Sequence, residues 1–217
     1  MRSSSEGRPR SGAAAAAPLP RGVLGPGDRG TPETGRRAFP THHPSGGVDP
    51  QHLRRVLRRV PTSLAVVTTM DGASPAGCTI GSFVSVSLDP PLAAYFAMRS
   101  SSTLAAVRRR QAFSVNVLAD DQADLAAVFS GRSADRFRGV RWQPGPGGTP
   151  HLDGALVVLD CELHDVVTLG DHEMVVGRLT GASVTRPGIQ PLVLGGGRVR
   201  ELQLARPSGL DDVAFPA

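Results

Sequence analysis

Hydrophobic and polar positions change period several times along this chain, and each change marks an element. Leu53, Val56, Leu57 and Val60 recur at helical spacing, with Arg54, Arg55, Arg58 and Arg59 between them. Asp49 offers an N-cap oxygen, Pro50 suits the first helical position, and Pro61 ends the run. Residues 62–69 read as a β-strand, and Asp71-Gly72 as the tight turn that follows it. The next stretch, Ser74 to Leu92, begins with small residues. It then alternates Phe83, Val84, Val86 and Leu88 against serines as a strand does, and stops at Pro90-Pro91. Leu92 to Met98 is another apolar strand. Hydroxyl side chains from Ser100 to Thr103 precede Leu104 to Val107 and then Arg108 to Arg110, the order a helix dipole favours. Phe113 to Leu118 alternates, and Asp120 to Phe129 reads as an amphipathic helix through Leu125, Val128 and Phe129. Residues 143–150 read as a Pro/Gly loop. Ala155 to Val167 and Met174 to Val184 predict two long strands joined by a hairpin, with Gly170-Asp171 at its tip. Short strands at Pro191 to Leu194 and Val199 to Leu204 close the pattern. Many strands, few helices and no βαβ rhythm predict a mainly β, antiparallel barrel with helices packed outside it.

Composition divides the 217 residues. The first 46 hold Ala13 to Ala17 in a row and repeated Pro, Gly and Ser, so residues 1–46 are expected to form a disordered extension. Residues 47–205 form one domain in this reading, and 206–217 a C-terminal tail. All 24 basic side chains are arginine; seven lie in the extension against three acids, leaving seventeen against sixteen acids in the rest. The basic balance therefore belongs to the extension, and with aromatics at 4% no nucleic-acid partner is expected. No run of 18 apolar residues occurs, so no membrane span is expected. Cys78 and Cys161 lack paired spacing, which points to reduced thiols in a cytoplasmic setting.

Two stretches carry candidate chemistry. Gly77 and Gly81, with the hydroxyls of Thr79, Ser82, Ser85 and Ser87, suit either a planar hydrogen-bonding cofactor or an ordinary half-buried hairpin strand with serines facing water; the pattern leaves both open. Ser102 and Thr103 at a helix start suit phosphate when a ligand lies beside them. Other motifs fail on spacing. His172-Glu173 has Val176 where a zinc-protease helix needs its second histidine. Gly77-x-Thr79-x-Gly81 lacks the βα unit of a nucleophile elbow. Gly195-Gly196-Gly197 lacks a dinucleotide fingerprint. No Cys/His cluster is spaced for a metal.

Taken in order, a set of pieces carries a family resemblance. They are Gly-x-x-x-x-Ser-Phe-x-Ser-Val-Ser-Leu-Asp-Pro-Pro-Leu from Gly77 to Leu92, Ser102-Thr103, Phe113-x-Val115-Asn116-Val117-Leu118, Phe129, Arg136-Phe137, Gly170-Asp171-His172 and Pro191-Leu192. From Asp49 to about Leu202 the chain resembles the short-chain flavin reductases, FMN-binding split β-barrels that act as reductase components of two-component flavin monooxygenases. The resemblance implies that a loop at Pro75, Ala76, Gly77, Cys78 and Thr79, with Gly81 and Ser82, lines the isoalloxazine ring. It implies that Phe96, Ala97, Met98, Ser102 and Thr103 hold the ribityl-phosphate arm, and that Phe129 lies beside the flavin. His172 is implied near the nicotinamide, orienting it or stabilising charge on the flavin, with Pro191 on the same side. The implied cofactors are FMN or FAD, with NADH or NADPH as hydride donor; the implied partners are a second copy of the chain and a monooxygenase that receives the reduced flavin. In one segment the chain departs from the family: Val193 to Val199 contains three glycines where relatives carry aromatic and polar residues. That departure favours the alternative reading, a non-catalytic flavin-binding split barrel acting as store or sensor.

Overall fold

The computed structural model describes residues 47–131, 133 and 135–200. The extension at 1–46 and the tail at 206–217 lie outside them. Helix α1 (Pro50–Leu57) starts where expected, with the Asp49 carboxylate accepting from the Gln51 and His52 N–H groups. The predicted strand at 62–69 is two strands, β1 (Thr62–Ser63) and β2 (Ala65–Asp71), because pairing changes partner at Leu64. The Leu64 N–H donates to the Leu192 carbonyl while its own carbonyl accepts from Leu118. Then follow β3 (Ser74–Ile80), β4 (Val84–Leu88), β5 (Pro91–Met98), α2 (Ser102–Arg110), β6 (Ala112–Val117) and α3 (Ala123–Ser130). The 143–150 region, expected as a loop, contributes a small hairpin of β7 (Trp142–Pro144) and β8 (Pro150–Leu152). The long pair is β9 (Val157–Leu169) and β10 (His172–Val184), and β11 (Val193–Gly195) with β12 (Arg198–Arg200) ends the described chain.

Seven strands form one antiparallel sheet in the order β3-β2-β6-β9-β10-β5-β4. The fold is mainly antiparallel β with three helices among the described residues. Strand β2 is buried on both faces because α2 covers one and α3 the other. Val67 packs with Tyr95, Leu104, Val107 and Phe113, whereas Val66, one residue earlier and so pointing the other way, packs with Ala126, Phe129, Phe137 and Leu192. Register shifts between Val176/Gly177 and Leu179/Gly181 bend the β9–β10 pair. Gly177 lets the Phe113 ring cross the bend, since a Cβ there would stand 2.5 Å from Phe113 Cζ. Asn116, fully buried, ties three elements together: its amide donates to the Val66 carbonyl and to Thr68 Oγ1, and its carbonyl accepts from Leu152 N–H at 2.8 Å.

Three features depart from the sequence reading. The apolar stripe of α1 is uncovered, and no residue of that helix is buried. The glycine run has a local cause: Gly196 and Gly197 form the two-residue turn between β11 and β12 with φ of +64° and +74°, where a side chain at either position would be strained. The short strand expected from Pro191 begins at Val193, and Pro191 makes an isolated bridge to Ala119.

Candidate functional site

Pro75, Ala76, Gly77, Cys78 and Thr79, implied as a loop, form most of edge strand β3, folded back on β2 through the Gly72 turn. The Gly77 carbonyl accepts from Arg136 Nη1 at 2.8 Å, outside the β2 ladder. A residue in an antiparallel strand sends its N–H and C=O to the same side, so the main chain of Gly77 and Thr79 faces the open edge. Pro75 shares that parity and costs the ladder no donor. The result is a row of main-chain groups along the open edge, of which the Gly77 carbonyl is already bonded to Arg136.

Helix α3 holds this strand from behind. A Cβ on Gly77 would stand 2.9 Å from Phe129 Cε1 and 3.0 Å from the Val67 carbonyl, so the missing side chain is what lets the ring lie flat beneath the strand. Phe129 is 1% exposed and packs edge-on against Phe137, with ring centroids 5.0 Å apart. It therefore supports the strand, and the structure does not bring its ring to the surface. The Thr79 hydroxyl donates to the Ala126 carbonyl at 2.8 Å, so its proton is committed to α3. Arg136 completes the attachment, with Nε donating to the Gly131 carbonyl at the α3 C-cap at 2.9 Å. The site residues drawn from the sequence omitted Arg136, although Arg136-Phe137 stood among the motifs.

On the other side of β3 lies the start of α2. Ser101 is its N-cap, with Oγ accepting from Leu104 N–H at 3.2 Å. Ser102 is exposed, whereas Thr103 is 1% exposed and turned inward. Cys78 packs on the α2 side of β3: burial raises the pKa of its thiol, and Thr103, the charge of Arg136 and Ser101 oppose that rise. Ser101 N–H donates to the Met98 carbonyl, and Met98 pairs in register with His172. Ser82, between β3 and β4, takes the place of a ladder partner, since its hydroxyl accepts from Phe96 N–H at 3.0 Å and donates to the Phe96 carbonyl at 3.2 Å. A Cβ on Gly81 would press on Thr62 Oγ1 at 2.9 Å. Phe96 and Met98 leave apolar surface exposed on the same face as His172, while Ala97, one residue out of phase, is buried.

His172 Nδ1 lies 2.7 Å from Asp171 Oδ1. That hydrogen bond and the nearby charges of His172 and Arg54 hold the Asp171 carboxyl below its ordinary range. The arrangement fixes the ring through Nδ1 and leaves Nε2 as its free nitrogen. Pro191 is not brought to His172 within the protomer. It bridges Ala119, just beyond the Val117–Val157 pair at the first residue of β9, whereas His172 pairs with Leu169 at the last. A cavity of about 490 Å³ bounded by Thr149, Asp160, Cys161, Glu162 and Thr180 contains none of these residues. It borders a buried network in which Ser114 Oγ donates to Asp160 Oδ1 at 2.8 Å and His151 Nε2 lies 2.7 Å from the same oxygen.

Residues 57–203 match the model of the flavin reductase like domain. The chain belongs to that family. Among flavin reductase-like proteins it is 38% identical over 139 residues to the reductase subunit HsaB of a flavin-dependent monooxygenase from Rhodococcus jostii, covering 64% of this chain and 71% of that protein. It is also 38% identical over 148 residues to the NADH:riboflavin 5′-phosphate oxidoreductase of Streptomyces pristinaespiralis, covering 67% and 84%. The solved structure of the Streptomyces globisporus NADH:FAD oxidoreductase SgcE6, in complex with NAD and FAD fragments, superposes with a TM-score of 0.69 at 34% identity, covering 73% of this chain and 98% of that one.

Proposed function

We propose that this chain is an NAD(P)H-dependent flavin reductase: it passes hydride from NADH or NADPH to FMN or FAD and releases reduced flavin to a partner monooxygenase. The match to the flavin reductase family over residues 57–203 carries the reading, and the open edge of β3 beside the α2 hydroxyls fits the group that the family uses. The nicotinamide and flavin supply the redox reactivity; the protein supplies binding, orientation and electrostatics. In this reading the main chain of Gly77 and Thr79, with Pro75, Ala76, Cys78, Gly81 and Ser82 around it, takes the ring. Phe96, Ala97, Met98, Ser102 and Thr103 take the ribityl-phosphate arm, and Phe129 acts through the strand that it supports. His172, oriented by Asp171, positions the nicotinamide through Nε2.

The family's split-barrel homodimer is part of the same proposal. Leu53, Val56, Leu57 and Val60 leave an uncovered apolar stripe at α1, and Phe96, Met98 and Ser102 lie on open surface, so a second copy would cover the first and enclose the second. It would also offer Pro191 a route to a site that it does not reach within its own protomer. Relatives named as reductase subunits of monooxygenases support delivery to a separate oxygenase. No described helix is long and apolar enough to cross a membrane, and Cys78 and Cys161 are free thiols, which fits a reducing cytoplasm.

The test is direct. Purified protein oxidises NADH or NADPH only when FMN or FAD is added; donor consumption that does not depend on flavin, or none with any pairing, overturns the assignment. Sedimentation at micromolar concentration shows a dimer, and Leu57→Glu on the exposed stripe shifts it to monomer; a wild-type monomer removes the second-copy element alone.

A further inference from the structure

The cavity of about 490 Å³ beside the Ser114, Asp160 and His151 network lies apart from the candidate site, and its walls have a one-sided chemistry. Asp160 is on its lining and is 9% exposed. Among the described residues no arginine lies within ion-pair distance of that carboxylate, whereas the other buried acid, Glu173, has Arg108 at 2.7 Å. The groups that reach the Asp160 carboxylate, Ser114 Oγ at 2.8 Å and His151 Nε2 at 2.7 Å, both meet Oδ1. Oδ2 accepts no side-chain or main-chain hydrogen bond from the described residues. It lies beside Gly181, which pairs with Asp160 across the second register shift of β10, and a Cβ on that glycine would stand 3.1 Å from Oδ2. The missing side chain leaves the oxygen uncovered.

Following the protons shows what the cavity offers. A carboxylate only accepts, so Ser114 gives Asp160 its single hydroxyl proton and His151 carries its proton on Nε2. Thr149 Oγ1, 2.6 Å from Ser114 Oγ, is then the donor in that pair. Thr180 Oγ1 donates to the Asp160 carbonyl at 3.3 Å. Both threonines line the cavity with their protons spent on the protein, so they keep lone pairs for a ligand. The cation on the lining, Arg110, is exposed and donates to the Gly147 carbonyl at 3.0 Å. Acceptors around a buried carboxylate with an unused oxygen select a positively charged ligand rich in N–H donors. A metal ion is a poor match, since no group of three His, Cys, Asp or Glu among the described residues could hold one. A guanidinium is a poorer match than an ammonium, because its fork wants both oxygens of a carboxylate and Oδ1 already accepts from Ser114 and His151. Leu163 and Phe113 give the lining an apolar side. We propose that this cavity is a binding site for a primary alkylammonium, its head against Asp160 Oδ2 with the Thr149 and Thr180 oxygens as further acceptors, and its chain toward Leu163.

The experiment titrates the full chain with n-butylammonium chloride at fixed ionic strength, followed by backbone amide NMR shifts and by thermal unfolding. The expected result is saturable shifts at Thr149, Asp160, Thr180 and Gly181 with a dissociation constant of about 1 mM or tighter, and a midpoint that rises with concentration as binding to the native state requires. Tetramethylammonium, which has the charge without N–H groups, and n-butanol, which has the chain without the charge, leave those amides unmoved. Asp160→Asn abolishes binding. Gly181→Ala weakens it by about tenfold or more, because the new methyl covers Oδ2 while Oδ1 keeps its partners; where Asp160→Asn fails to fold, this variant decides. Absence of saturable shifts at these residues, an equal response to tetramethylammonium, or wild-type affinity in Gly181→Ala overturns the proposal. Flavin takes no part in the titration, so the result stands apart from the reductase assignment.

Discussion

Replacing Gly77 with alanine tests the central structural claim, that the flavin edge is shaped by how closely β3 approaches α3. The new Cβ would stand 2.9 Å from Phe129 Cε1 and 3.0 Å from the Val67 carbonyl. Ordinary carbon contacts need about half an ångström more. The Val67 carbonyl belongs to the neighbouring strand and cannot retreat, and Phe129 is wedged against Phe137. Either the ring is pushed into the core or the edge strand lifts, and lifting strains the Thr79 bond to Ala126 and the Arg136 bond to Gly77. Overpacking of this kind costs about 1–3 kcal/mol. For a domain of this size that lowers the unfolding midpoint by about 3–10 °C. FMN affinity should fall about tenfold, the factor corresponding to roughly 1.4 kcal/mol. The decisive measurement is a double-mutant cycle with Phe129→Leu, which removes the atoms that the new methyl meets. Gly77→Ala should be better tolerated in the Phe129→Leu background by about 1 kcal/mol, both in unfolding and in FMN binding. Additive effects, or an alanine variant with wild-type midpoint and affinity, would refute the close-approach account.

Three further outcomes are expected. His172→Ala slows single-turnover flavin reduction by about 10- to 100-fold while the flavin dissociation constant stays within about twofold, as loss of nicotinamide orientation requires; an unchanged rate counts against its role. Gly177→Ala places a methyl 2.5 Å from Phe113 Cζ and 2.9 Å from Cys161 Cβ, so it destabilises the domain by about 1–3 kcal/mol in denaturant unfolding, and a neutral variant would show that the bend is not held by that ring. Burial pushes the Cys161 thiol from its ordinary value of 9.0 up to about 12 and raises Cys78. Above pH 9 the unfolded chain therefore loses these protons before the folded one does. Stability falls as pH rises from about 9 toward 12, and the buried Cys161 thiol resists maleimide at pH 8 until the protein is unfolded; rapid labelling of Cys161 in the folded protein contradicts this.

The antiparallel architecture was legible because its strands alternate and its turns carry their own chemistry. Asp71-Gly72 and Gly170-Asp171 mark hairpins, and Asp49-Pro50 marks a helix start. Pairing partners were not legible in the same way. Nothing local distinguishes Leu64 from its neighbours, yet there the chain leaves one sheet for another. The 143–150 segment reads as a loop from its prolines and glycines, and becomes a hairpin because Asn116, distant in sequence, binds Leu152 of β8 while Asp160 holds His151. The glycines at 196 and 197 raised the possibility of lost activity, but a two-residue turn requires residues that tolerate positive φ, whatever the site needs.

Gly77 shows where a sequence reading of the site stops. A glycine among small residues says that something approaches the backbone closely, and a flat cofactor is one candidate. In the fold the close neighbour is Phe129, a side chain of the protein itself, and the strand's other side remains for a ligand. The same event explains why Phe129 looks like a ring-contacting residue in the motif pattern while being buried in the structure. A residue that fixes the height of a binding edge is under the same constraint as one that touches the ligand, because displacing either moves the same main-chain donors. Arg136 belongs with the residues that fix that height, because its two carbonyl bonds tie Gly77 to the end of α3. Substitutions there should weaken every flavin alike, since they move the same main-chain groups.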